Sequence, residues 1–104
     1  MKRLRLILAD AAVGDIIEQS DWYAQHAGGR LSERWERAVS QALLRVLRNA
    51  HSGSLCRFKA PELHGVRRVL IAGFPKHLMF YGATKQEVRI LRIIHGARDF
   101  ESLF

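Results

Sequence analysis

The stretch Val66-Arg67-Arg68-Val69-Leu70-Ile71-Ala72, then Gly73-Phe74-Pro75-Lys76, then His77-Leu78-Met79-Phe80-Tyr81 decides the fold. A β-branched, apolar run, a turn rich in Gly and Pro, and a second apolar run with an aromatic end read as a β-hairpin over 66–72 and 77–81. Gly82 to Gln86 supplies another turn. Val88 to His95 then alternates, with Val88, Ile90, Arg92 and Ile94 expected on one face and Arg89, Leu91, Ile93 and His95 on the other. Three consecutive strands joined by short turns predict an antiparallel meander carrying basic residues among its apolar ones.

Upstream, Leu4, Leu6 and Leu8 alternate with Arg3, Arg5 and Ile7, which predicts a first strand over about residues 2–8. Asp10 stands where an N-cap is expected. Val13, Ile16, Ile17, Ser20, Tyr23 and Ala24 follow at the three-and-four spacing of one helical face, and Gly28-Gly29 ends that helix. A second helix over 31–49 carries Leu31, Trp35, Ala38, Val39, Ala42, Leu43, Val46 and Leu47 on its stripe, with Arg34, Arg37, Arg45 and Arg48 largely off it. Two amphipathic helices with so short a link form an antiparallel hairpin. Residues 50–65 have turn formers and no sustained period, so they form a long connection with room for a short strand or turn. Gly96 to Phe104 ends the chain in a turn and a helical turn. The order is β-α-α-β-β-β: an α+β fold with a helical hairpin packed on one face of an antiparallel sheet, and the first strand joining a later one.

One domain, residues 1–104, is all this length supports, because such a chain buries roughly 65% of its unfolded surface, enough for a single core. Apolar residues at 48% and charged residues at 26% exclude wholesale disorder. No apolar run reaches the ~18 residues of a membrane span, so no membrane association is expected. The basic N-terminus is broken by Arg5 and stopped by Asp10, unlike a signal peptide, and a cytoplasmic protein is expected. The single cysteine, Cys56, rules out an intramolecular disulfide and a thiolate cluster, and it is expected to be a small buried side chain. His26, His51, His64, His77 and His95 show no ligand spacing, and no glycine-rich phosphate loop is present. Neither a metal nor a cofactor is expected. Trp22 and Trp35 are expected in the core or between the helices.

The formal net charge is +7, and it is unevenly placed: residues 1–29 carry three basic and four acidic side chains, residues 30–104 fourteen and six. Arginine outnumbers lysine thirteen to four. Its planar fork suits carboxylates and phosphates, so an acidic polypeptide or a nucleic acid is the natural partner, although charge alone fits a solvated surface equally well. For acid/base chemistry the candidates are Arg67 or Arg68, His77, Arg89, Arg92 and His95, with Arg98 just beyond, provided that neighbouring strands bring them to one face.

Three segments, Leu63-His64-Gly65-Val66-Arg67-Arg68, Gly73 to Tyr81, and Ile90-Leu91-Arg92-Ile93-Ile94-His95-Gly96-Ala97-Arg98-Asp99, resemble the RelE/ParE toxin superfamily, its ParE branch most. Ala11 to Tyr23 is similar to that family's first helix. The resemblance implies the same fold and a plasmid-stabilisation type of toxin, encoded beside an acidic, ParD-like antitoxin that wraps and neutralises it in a hetero-oligomer. It implies inhibition of DNA gyrase for the ParE branch and ribosome-dependent cleavage of messenger RNA for the RelE branch. In the RelE branch a tyrosine or histidine near the C-terminus often assists; here no tyrosine follows Tyr81, while His95 and Arg98 remain. Target or antitoxin contact is expected at Arg68, Arg92, His95, Arg98 and Phe100. The alternative nuclease would use Arg67, Arg68, Arg92, His95 and Arg98, and a third possibility is an inactive copy that serves only promoter autoregulation. An apolar groove beside the hairpin is expected to seat the antitoxin's hydrophobic anchors.

Overall fold

A computed structural model of the chain describes residues 4–96 and 101–104. Its elements are β1 (Arg5–Leu8), α1 (Asp10–His26), α2 (Gly29–Arg48), β2 (Ser54–Leu55), β3 (Arg67–Ile71), β4 (Phe74–Ala83) and β5 (Glu87–His95). Single 3₁₀ turns occupy Pro61–Leu63 and Glu101–Leu103. The sheet has five strands in the order β1-β5-β4-β3-β2. The meander of β3, β4 and β5 is antiparallel as expected, and the two-residue β2 extends it. β1 joins β5 in parallel, pairing Arg5 with Glu87 and Leu8 with Ile90, so the sheet as a whole is mixed. A parallel partner is what the intervening hairpin allows, because it returns the chain to the far side of the meander.

Both helices cover one face. Trp35, Val46, Met79, Tyr81, Val88 and Ile90 are fully buried between the layers, and Leu4, Leu6 and Leu8 pack at the margin of this core. Trp35 Nε1 donates to the Ile16 carbonyl at 3.1 Å, tying α2 to α1. The Ser20 hydroxyl donates to the Glu36 carboxylate and lies 2.7 Å from the Ser32 hydroxyl, so the polar atoms in the hairpin satisfy one another.

Several local expectations change. The α1 N-cap is Ala9, with no side-chain cap, and Asp10 is the first helical residue. The buried stripe of α1 runs through Ala12, Ile16, Ser20 and Tyr23, while Val13 and Ile17 face outward. Trp22 is 51% exposed and stacks on His26 rather than entering the core. Gly28, at φ 94°, makes the turn between the helices, and Gly29 already belongs to α2. β4 begins at Phe74, because Ile71 pairs with Phe74 across the two residues Ala72-Gly73, with Gly73 at φ 84°.

The consequential change lies in β5. Tyr81 pairs with Ile90 but Phe80 pairs with Arg92, so Leu91 is an extra residue. This β-bulge reverses the alternation of everything after it. Ile93 therefore joins Val88 and Ile90 in the core, and Arg92 and Ile94 turn to the opposite face. Strict alternation had put Arg92 with Ile90.

Candidate functional site

The sheet face away from the helices is built from two cross-strand rows. Arg68 of β3 pairs with Phe80 of β4, which pairs with Arg92 of β5; Leu70, Leu78 and Ile94 form the next row. Neighbouring strands lie ~4.8 Å apart, so the two arginines stand roughly 10 Å from each other across Phe80. Phe80 is buried under Phe58 and Phe104, whose ring centroids lie 6.2 and 5.4 Å from its own. The segment 101–104 is fastened over this face at three points. Glu101 accepts the backbone N–H groups of Lys59 and Ala60 at 2.8 and 2.9 Å, which hold its carboxyl below the usual range. Phe104 packs on Phe80, and the Leu103 carbonyl accepts from Arg92 at 2.6 Å.

Arg92 is engaged on every side. Its Nε and Nη2 each donate to the Asp15 carboxylate at 2.8 Å, and that hydrogen bonding raises the guanidinium pKa further. Asp15 also accepts the Ile93 N–H at 2.9 Å, beyond the point where β1 stops covering the β5 edge. A carboxylate on α1 thus takes over from a missing strand residue. Arg67 donates to the Gly53 carbonyl at 2.8 Å, and Arg89 pairs with Glu87 at 3.2 Å. Arg68 is exposed, with no side-chain hydrogen bond or ion pair among the described residues. Cys56 is half-buried; burial pushes its thiol up, against the opposing charge of Arg68, so it stays protonated.

His77 and His95 point to the other face. His77 and His95 are directly paired across β4 and β5, with ring centroids 4.9 Å apart, and His77 also packs on Trp35 at 4.7 Å. Of the residues expected to act together, the structure brings Arg68 and Arg92 into one row. It places His77 and His95 on the helix side and Arg67 in a backbone contact. Arg98 and Phe100 lie outside the described residues. Phe58, Phe80 and Phe104 were not singled out as site residues, and their signal would have been the row opposite Arg68 and Arg92, which needs the register. Among the described residues no group of three or more His, Cys, Asp or Glu side chains could hold a metal ion.

An apolar groove does lie beside the hairpin. β2 pairs only with Arg67 and Arg68, so the edge of β3 from Val69 onward is open. There a groove of about 610 Å³, with Arg45 and Arg68 beside Leu70, Ala72 and Leu78, adjoins a smaller one of about 220 Å³ under Ala38 and Ala42 of α2.

A helical hairpin on one face of a five-stranded sheet, with arginines framing the open face, defines the RelE/ParE-like class of small α+β domain. Solved structures share it. The chain resembles the "Chromosomal ParDE TA system from P. aeruginosa" with a TM-score of 0.74 at 18% identity, covering 91% of this chain and 98% of that one. It also resembles "The structure of YoeB dimer from Staphylococcus aureus", with a TM-score of 0.57 at 18% identity and coverage of 89% and 97%. The "YoeB/ParE toxin from Agrobacterium tumefaciens" gives 0.56 at 14% identity, with 88% and 98% covered. At these identities the likeness is one of fold. No curated protein matches at a significant level. The family model described as "ParE toxin of type II toxin-antitoxin system, parDE" matches residues 6–100, and the chain belongs to that family. It is therefore a toxin of a type II system, and an antitoxin is its partner. Among the described residues no helix is long and apolar enough to cross a membrane.

Proposed function

We propose that the protein arrests growth by binding DNA gyrase through the open sheet face and its C-terminal side, and that its acidic antitoxin blocks it by direct binding. One observation carries the choice of binding over RNA cleavage. Arg68 and Arg92 face one side of the sheet and the paired His77 and His95 the other, so no histidine shares the arginine row; His95 meets Arg92 only at the β5 edge, in a cleft that Asp15 and Glu18 also line. Arg92 is moreover committed to Asp15 and the Leu103 carbonyl. What remains is an arginine-framed row of Leu70, Leu78 and Ile94, the composition of a protein-docking surface. Exposed Arg68 is what favours the second reading, a ribosome-dependent endonuclease.

The antitoxin's segment is assigned to the groove between α2 and the β3 edge, where backbone groups of β3, apolar side chains and Arg45 together suit an extended chain bearing apolar and acidic residues. The test of the target is a comparison: purified protein is added to a gyrase supercoiling reaction and, separately, to ribosomes translating a reporter message. Loss of supercoiling with an intact message is expected. Cleavage at codon-defined positions with supercoiling untouched would reject gyrase as the target.

A further inference from the structure

At the end of the sheet where α2 finishes, a cleft of about 770 Å³ is lined by Arg48, His51, Arg67 and Lys85 with no acidic residue in its wall. Arg48 closes α2, His51 follows it, Arg67 opens β3 and Lys85 sits in the turn between β4 and β5. Arg48, His51 and Lys85 have no side-chain hydrogen bond or ion pair among the described residues, whereas Arg5, Arg89 and Arg92 are each paired with a carboxylate. Arg67 spends Nη1 on the Gly53 carbonyl. The negative partial charge at the end of α2 is about half a unit, against three full positive charges around the cleft.

We propose that this cleft holds the phosphodiester backbone of duplex DNA; that the DNA is the segment carried by gyrase rests on the target reading above. The cleft reaches from Leu4 beside β1 to Leu55 in β2, across the whole sheet. Four strand steps span roughly 19 Å, and duplex DNA presents one charge per ~1.7 Å of axis, so several phosphates face the cleft at once. No Phe, Tyr or Trp lines it, and the one imidazole, His51, does not make the run of stacking rings that single strands need. An acidic polypeptide is assigned instead to the groove beside Leu70, Ala72 and Leu78, where the β3 edge from Val69 onward offers unpaired backbone groups to an extended chain.

The experiment is fluorescence anisotropy of a labelled 20-base-pair duplex, titrated with the protein between 50 and 200 mM salt in the absence of gyrase. The variant Arg48→Ala/Lys85→Ala is expected to bind about tenfold more weakly at low salt and to flatten the log–log salt slope by roughly 1.8, the value for two phosphate contacts. Arg34→Ala/Arg37→Ala, outside the cleft, should stay within about twofold of wild type, and Arg48→Lys should bind like wild type because it keeps the charge. Absence of duplex binding, or equal losses in the two double variants, overturns the proposal. So does a labelled polyglutamate that binds as tightly and is lost in the same variant, because the occupant is then an acidic polypeptide. Duplex binding beside an unaffected supercoiling reaction keeps the cleft and rejects gyrase as its setting. Inhibition of gyrase by Arg48→Ala/Lys85→Ala at wild-type strength keeps gyrase and overturns the cleft's part in it.

Discussion

His77 is 5% exposed, wedged among Trp35, Phe74 and His95, and its Nε2 has no hydrogen-bond partner among the described residues. Burial, helped by the neighbouring His95, lowers its pKa from 6.5 to about 4. Between those values the unfolded chain binds the proton and the folded one does not, so stability falls as the pH drops from 6.5 towards 4. Urea unfolding should show a loss on the order of 2 kcal/mol between pH 6.5 and 5, and His77→Leu should flatten that dependence. Parallel pH curves for the two proteins would clear His77 of the effect. Asp15 is the other residue whose work is out of proportion to its exposure, since it serves both Arg92 and the Ile93 N–H. Asp15→Ala strands all three donors and should cost about 2 to 3 kcal/mol by the same measurement, while Asp15→Asn, which keeps an acceptor, should cost less. A negligible loss in Asp15→Ala would mean that water replaces the carboxylate. Arg92→Ala breaks the same clamp, so relief of growth arrest in that variant bears on target contact only if its folded state persists by circular dichroism.

The elements were legible in proportion to how much their pattern is set by local burial. Leu4, Leu6 and Leu8 mark β1, and the stripe from Leu31 to Leu47 marks α2, because each repeats against one continuous core. The α1 stripe was misplaced because α1 has apolar residues on both sides, with Val13 and Ile17 left facing outward. The bulge at Leu91 leaves no trace in composition, since an inserted apolar residue looks like one more strand position, yet it decides which face Arg92 occupies. The connection after α2 hid a second device. Tyr81 donates to the Ala50 carbonyl at 2.9 Å and accepts the Gly53 N–H at 2.9 Å, pinning the loop to β4. A Cβ on Gly53 would meet the Tyr81 hydroxyl at 2.7 Å and the Arg68 carbonyl at 2.9 Å, and that carbonyl is backbone that cannot step aside. Gly53→Ala should therefore destabilise by about 1 to 3 kcal/mol in thermal or urea unfolding. A change within a few tenths would show that the loop is free to move off Tyr81.

Across the whole molecule the excess of positive charge is divided among places with different neighbours, and the antitoxin groove shares Arg68, Leu70 and Leu78 with the outer sheet face, so an occupant of the groove also covers part of that face. Arg45 and Arg68 stand beside Leu70, Ala72 and Leu78 at the open β3 edge; Arg48, Arg67 and Lys85 line a cleft whose wall also carries Leu4 and Leu55; Arg92 is already paired. A net charge of +7 was readable from composition, but this partition was not, because it depends on which strand ends where. If the antitoxin occupies the β3 groove, Leu70 is the side chain to change: it is 52% exposed, so its replacement leaves the core intact, and it lines both parts of the groove. Leu70→Asp places a carboxylate where an acidic, apolar-anchored segment must lie, losing an anchor and adding repulsion. The complex should weaken by at least tenfold, which corresponds to about 1.4 kcal/mol, in a calorimetric titration with the antitoxin. Duplex binding by the free toxin should be unchanged in the same variant, because Leu70 is not in the cleft wall. An unchanged affinity would move the antitoxin off this groove and leave the outer arginine row as its seat.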